Sequence, residues 1–218
     1  MSELEWITPA QFHAAEGVDD WRVLAFGVCA RFATDTFSAA ADLAAAVSAV
    51  PGLDGANPGL DVRSDGVTIQ LRAEPGHGMR AGDIALARRL SAVAVAHGAR
   101  PEPATVQELN ITVDALTAAD IMPFWCAVLG YEQRGDEDLV DPLDRGPSFW
   151  FQDMDAPRPQ RNRLHVDVFV PHDLAEARVA AALAAGGHLV SDKHAPSWWV
   201  VADAEGNEAC IASWMGRS

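Results

Sequence analysis

The sequence predicts an α+β protein of two domains. Three observations carry this: a Pro-broken stretch near residue 100, an order of strand pair, helix, strand pair, helix before it, and a recurring strand–helix–strands order after it.

In the first half, Trp21 to Thr34 alternates loosely and reads as paired strand. Asp35 reads as the N-cap of the helix DTFSAAADLAAAVSAV, which Pro51-Gly52 ends. Strands around LDVRSD and GVTIQLRA meet in a tight hairpin at Asp65-Gly66, and a last helix runs from about Arg80 to His97. This order predicts an antiparallel sheet with its helices on one face. The stretch AHGARPEPATVQE, with Pro101 and Pro103, reads as a helix stop followed by a linker. It divides the chain into a domain of residues 1–100 and another of 104–218.

In the second half, the strand LNITVDA leads into the helix TAADIMPFWCAVLG and short strands around EQRGDED, DLVDP and SFWFQDM. The pattern then recurs: RLHVDVFV as strand, DLAEARVAAALAAGG as helix, and HLVSDK, SWWVVAD and NEACIAS as strands. A slide of 55 residues puts Leu109 on Leu164, Asn110 on His165 and Val113 on Val168. Two paired βαβββ modules forming a cupped sheet are the simplest account.

Composition narrows the function. Apolar residues make up 49% of the chain, which predicts a globular fold. No apolar run approaches the roughly 20 residues needed to cross a bilayer. The acidic N-terminus MSELEWITPAQFH, broken by Pro9, does not read as a secretory signal. Cys29, Cys126 and Cys210 form no CxxC pair, which suits a reducing cytoplasm. A formal charge of −15 repels phosphate backbones, and the one dense basic stretch, Arg158 to Arg163, is short and Pro-broken. Nucleic acid and anionic membrane are therefore not the expected partners, and a small-molecule ligand is.

Residues 5–98 resemble a pterin-4a-carbinolamine dehydratase domain, on Trp21, Pro58, Val67-Thr68-Ile69-Gln70-Leu71 and Asp83-Ile84-Ala85-Leu86-Ala87. The family's His-His pair falls on Ala56-Asn57 and its later His on Glu74. Asn cannot titrate, and Glu74 would need a strongly raised pKa to move protons near neutrality. The resemblance therefore implies a degenerate site at Asn57, Glu74 and Asp83, with dehydratase activity lost. Residual activity through Glu74 and Asp83 is the alternative.

Residues 104–214 resemble the glyoxalase-like, vicinal-oxygen-chelate superfamily. The carrying motifs are Phe124-Trp125 with Val128-Leu129-Gly130-Tyr131, Asn162 to Val168, and Ala202 to Glu208. The resemblance implies ligand positions at Asn110, at Gln152 or Trp150 on the same strand face, at His165 and at Cys210. Glu208 precedes Cys210 by two residues, so strand alternation turns it to the same face. Asn, Gln, His and Cys are a poor set for magnesium, manganese or an iron oxygenase. A divalent metal is thus disfavoured as a cofactor, with zinc or nickel on His165 and Glu208 the version that remains.

His165 and Glu208 are the expected acid/base pair. Asn110, Trp125, Trp150, Gln152, Arg163 and Cys210 are the expected binding residues, the indoles serving as core and pocket wall. A lone His between Leu164 and Val166 is also what a hydrogen-bonded structural residue looks like. Of Trp198 and Trp199, adjacent on a strand, one is buried and the other faces away. The expected function is isomerisation or lyase-type proton transfer on a small oxygen-rich or aromatic molecule. The alternative is metal-free binding of a metabolite or drug. Both resembled families commonly self-associate, which with the apolar C-terminal strands implies a homodimer.

Overall fold

The structure, a computed structural model, describes residues 5–73, 78–156, 164–202 and 208–216. The chain forms two compact units: Met1–Gln107 with Pro171–Leu174 and Ser213–Ser218, and Glu108–Val170 with Ala175–Ala212.

The first unit contains β1 (Trp6–Ile7), α1 (Pro9–His13), β2 (Arg22–Leu24), β3 (Gly27–Ala33), α2 (Phe37–Ser48), β4 (Pro58–Arg63), β5 (Gly66–Arg72), β6 (Met79–Arg80), α3 (Ala81–Ala96) and β7 (Arg100–Pro101). Strands β2-β3-β5-β4 form an antiparallel sheet, with β7 paired to β3 and a separate ribbon of β1 and β6. Strand alternation decides which face is apolar. Val28, Ala30 and Phe32 of β3 and Val67, Ile69 and Leu71 of β5 join Leu43 and Val47 of α2 and Ile84, Ala87 and Leu90 of α3 in one core. Trp21 is fully buried there, and its Nε1–H donates to Ser91 Oγ at 3.0 Å. Burying that indole is tolerable because its one polar atom is satisfied.

Local departures from the sequence reading have physical causes. Thr36, not Asp35, caps α2: its extended backbone lets its hydroxyl accept from Ala39 N–H at 3.1 Å, while Asp35 accepts from Arg100 Nη1 at 3.2 Å. The hairpin turn is Ser64-Asp65, since Arg63 pairs with Gly66 inside the ladder. The stretch read as linker holds a strand, β7, whose Pro101 opposes Phe32; at the margin of a sheet a missing N–H is tolerated.

The second unit contains β8 (Glu108–Ala115), α4 (Ala118–Leu129), β9 (Glu132–Arg134), β10 (Asp138–Val140), β11 (Ser148–Asp153), β12 (Leu164–Phe169), α5 (Ala175–Ala184), β13 (His188–Ser191), β14 (Trp198–Ala202) and β15 (Glu208–Ala212). Among the described residues its strands run in the order β13-β14-β15-β12-β8-β11-β10-β9. Pairs β8/β11 and β12/β15 are parallel, and the seam β8/β12 is antiparallel. The seam pairs Asn110 with Asp167 and Thr112 with His165. Both pairs relate by the same 55-residue offset (110 to 165, 112 to 167), so a local two-fold passes between them.

Helices cover one face of each module. Val113, Leu139, Phe149 and Phe151 pack with Met122 and Trp125 of α4, and Val201 and Ile211 pack with Ala175 and Val179 of α5. The residues between them in the alternation therefore share the opposite face, where the polar side chains collect. No described helix is long and apolar enough to cross a membrane.

Candidate functional site

The polar face is ordered by register. One row crosses β11, β8, β12 and β15 as Ser148, Asn110, Asp167 and Cys210. The next crosses β10, β11, β8 and β12 as Asp138, Trp150, Thr112 and His165. Gln152 and Asp114 pair one step further on, and Glu208 lies two residues before Cys210.

At the centre, Thr112 is fully buried and its hydroxyl donates to Asp167 Oδ2 at 3.0 Å. Asp167 Oδ1 stands 3.3 Å from His165 Nε2, with side-chain exposures of 13% and 19% for the carboxylate and the ring. Among the described residues this buried Oδ1 has no hydrogen-bond partner. Beside them Ser148 Oγ donates to Asn110 Oδ1 at 3.2 Å, both residues buried.

The electrostatics follow from this crowding of carboxylates. The Asp167 side chain raises the His165 pKa above its ordinary 6.5; burial opposes it, and the charges of Asp167, Asp114 and Glu208 add to the rise. The Cys210 thiol is pushed up strongly, first by burial and then by Asp167, Glu208 and Asp114. It is therefore protonated at neutral pH and is no nucleophile in this state. Asp138 is also raised, by burial and by Glu137, with Arg134 opposing.

His165, Asp167 and Cys210 present ligand atoms within 4.8 Å of one another. One imidazole nitrogen, one carboxylate oxygen and one sulfur suit a zinc-type cation with three protein ligands and an open position, and Asp167 Oδ1 lacks any other aligned partner. The set does not suit magnesium or calcium, which want several oxygens.

The structure brings His165, Glu208, Asn110, Trp150, Gln152 and Cys210 onto this one face. Trp150 is half-buried there, and its Nε1–H donates to Glu137 Oε2 at 3.0 Å. Gln152 is exposed near the end of β11. Trp125 sits elsewhere: it packs under α4 against Phe149, ring centroids 5.7 Å apart, on the helix side of the sheet. Its place in the apolar helix stripe, not in the strand alternation, decides that. Trp199 likewise joins the helix-side core, while Trp198 stacks on His194 at 4.2 Å. Arg163, Arg158, Arg161 and Asp203 lie outside the described residues.

In the first unit, Asn57 occupies a left-handed conformation with φ 44° directly after the 3₁₀ turn Leu53–Ala56. Asp83 spends its carboxylate on the start of α3, accepting from Arg80 N–H at 2.8 Å, and burial raises its pKa. Glu74 lies outside the described residues.

Two central residues, Asp167 and Thr112, are absent from the sequence-derived site. The signal for them is plain alternation: in Leu164-His165-Val166-Asp167 and Asn110-Ile111-Thr112 each lies two residues from a predicted site residue.

Several solved structures align with about half of the chain. A Legionella pneumophila structure described as an NAD-dependent benzaldehyde dehydrogenase is 9% identical, with 48% of this chain and 97% of that one covered and a TM-score of 0.37. A glyoxalase/bleomycin resistance protein/dioxygenase superfamily member from Vibrio splendidus is 17% identical, covering 50% and 99%, with a TM-score of 0.33. The oxidase ChaP-H2 is 21% identical, covering 50% and 94%, with a TM-score of 0.21. No curated protein matches the chain. Residues 110–212, which span all the strands of the polar face, match the family model of the glyoxalase-like domain.

Proposed function

We propose that the polar face of the second unit binds a small molecule and that His165 moves a proton on it, in an isomerase or lyase-type reaction. The observation that carries this is the His165–Asp167 pair at 3.3 Å, held by Thr112 at the centre of the sheet. A carboxylate beside an imidazole orients the ring and stabilises its charged form, as proton transfer near neutral pH requires. Glu208, on the same face, is the second acid/base group. Asn110 and Ser148 offer neutral polar contacts, and Trp150 offers an aromatic wall.

A zinc-type cation, where bound, would be held by His165, Asp167 and Cys210 and would supply a Lewis acid at this face. The protein's own residues do the remainder: Asn110 and Trp150 orient the ligand, and buried Thr112 and Ser148 keep the polar groups in register.

The test is turnover of a metabolite mixture, followed by mass spectrometry, with wild-type protein, His165→Gln and Asp167→Asn. Losses of about 10²–10⁴-fold in both variants support the reading. Full turnover in both removes it. Around Asn110, Ser148 and Trp150 the face offers mainly amide, hydroxyl and indole groups, with the Asp138 carboxylate beside Trp150, which favours a second reading, binding without chemistry. A retained ligand that is never converted would identify it.

For the first unit we read a pterin-dehydratase-like scaffold without dehydration chemistry, because Asn57 does not titrate and Asp83 is engaged at a helix start. A carbinolamine dehydrated no faster than without protein supports that reading. The homodimer expected from the resembled families is tested by mass measurement in solution.

A further inference from the structure

We infer that His13, His172 and Trp214 form an acid-opened clasp. It holds Pro171–Leu174 and residues 213–216 on the first unit near neutral pH and releases them in mild acid. The inference concerns the first unit and does not rest on the reading of the polar face.

Three separate stretches of chain build the clasp. His13 ends α1, His172 opens the 3₁₀ turn His172–Leu174, and Trp214 lies just beyond β15. Ring centroids are 4.8 Å apart for His13 and His172, 5.1 Å for His13 and Trp214, and 5.1 Å for His172 and Trp214. Each ring meets both of the others, so the loss of one undoes two contacts. The His13 and Trp214 planes are nearly parallel, at 12°, and Trp214 also packs on the core of the first unit. Arg22 adds an ion pair to Asp173 at 2.9 Å, but that carboxylate is half exposed and the pair contributes little.

The closed cluster requires neutral rings. His13 Nε2 accepts from Val23 N–H at 3.2 Å, which only an unprotonated nitrogen can do. A proton placed there would set two donors face to face. His172 Nδ1 is buried and has no hydrogen-bond partner among the described residues. In the imidazolium both nitrogens carry hydrogen, so that Nδ1–H would be buried without an acceptor.

Charge points the same way. The charged and titratable groups facing the two imidazoles, besides each other, are Arg22 of β2 and Asp173 of the turn. Arg22 already donates to both oxygens of Asp173, so two imidazolium charges would stand beside a matched carboxylate and a guanidinium. Burial lowers the His13 pKa to about 4, with His172 and Arg22 adding to the fall and Asp173 opposing it. Burial also lowers the His172 value, with Asp173 opposing and Arg22 adding. Both closed values lie below that of a free imidazole. Closure is therefore favoured fully above about pH 6.5, and opening takes up protons as pH falls from there toward 4.

The held segments give the clasp its consequence. Pro171–Leu174 follows β12 after Val170, and residues 213–216 follow β15 directly. Those two strands carry His165, Asp167, Glu208 and Cys210. Val170 N–H donates to the Ala212 carbonyl at 3.0 Å, so the strands end side by side and one clasp anchors both exits.

The test is hydrogen–deuterium exchange of the full chain at pH 7 and pH 5, read by mass spectrometry and corrected for the intrinsic effect of pH. In wild type, protection of residues 172–174 and 213–216 is expected to fall about tenfold or more at pH 5, while α3 keeps its protection. The double variant His13→Gln with His172→Gln, which has no imidazole to protonate, is expected to lose that difference between the two pH values. Should the double variant not fold, the Trp214 indole N–H signal of wild type, identified by its absence in Trp214→Phe, is followed by NMR. It is expected to change with a midpoint between about pH 4 and 6.5. Wild-type protection that is equal at the two pH values, a folded double variant that keeps the wild-type difference, or an indole signal unmoved down to pH 4 overturns the inference.

Discussion

His165 and Asp167 stand two residues apart on one strand, their side chains on the same face and 3.3 Å apart from Nε2 to Oδ1. Two neighbours on adjacent strands complete the arrangement: Thr112 holds the carboxylate from β8, and Cys210 lies opposite Asp167 on β15. Strand geometry alone produces this cluster, because residues i and i+2 share a face and paired strands bring their partners within about 5 Å.

If a cation is held here, Cys210 must ionise to bind it, so uptake should release protons and grow with pH. Native mass spectrometry of the protein with added zinc is expected to show one equivalent bound. Cys210→Ala should weaken that binding by more than tenfold. Equal uptake by Cys210→Ala would place any bound cation elsewhere.

The first unit should lose stability in mild acid. His13 stacks on Trp214 at 5.1 Å and accepts from Val23 N–H through Nε2 at 3.2 Å. Its pKa is lowered to about 4, first by burial, then by His172 and Arg22, with Asp173 opposing. Because the folded value lies below the unfolded one, this neutral histidine stabilises fully above about pH 6.5, and the contribution is lost as pH falls from there to about 4. The ring is partly solvated, so on the order of 1–2 kcal/mol is expected rather than the full linkage value. Denaturant melts at pH 7 and pH 4 measure it. His13→Gln should flatten the difference, and an unchanged slope would discount His13.

Gly27 should not tolerate a side chain. Its φ is +140°, and an added Cβ would run into the carbonyl oxygen of Leu71 on the neighbouring strand. Gly27→Ala is expected to cost about 2–4 kcal/mol by the combined strain and clash. A melting temperature within a degree or two of wild type would contradict this.

Asp83 is expected to matter to folding, not to chemistry. Its carboxylate accepts from Arg80 N–H at 2.8 Å at the start of α3. Asp83→Ala should cost about 1 kcal/mol. Denaturant titration checks it.

Much of this was legible in the sequence. Alternation located β8, β12 and β15, and the 55-residue slide anticipated the seam, where Asn110 and His165 occupy equivalent places. What it did not supply was the cross-strand geometry. Asp167 looks, in sequence, like one acidic residue among thirty-one acidic side chains; only the antiparallel register puts it opposite Asn110 and diagonal to Thr112. Thr112 looks like an ordinary strand former for the same reason. Trp125 shows the converse: a residue in a recognisable motif is carried by its helix to the covered side of the sheet. The short strand Arg100–Pro101 was hidden because two prolines in four residues read as linker until a partner strand is known.

The most direct test of the central claim is the titration of the His165 imidazole by NMR in wild-type protein and in Asp167→Asn. The account predicts a wild-type midpoint above 6.5, because the Asp167 carboxylate favours the charged ring, and a clear fall in Asp167→Asn. A raised folded value also means that the pair stabilises the protein below about pH 6.5 and that this contribution is lost as pH rises through the folded midpoint. A wild-type midpoint at or below 6.5, unmoved by Asp167→Asn, would contradict it.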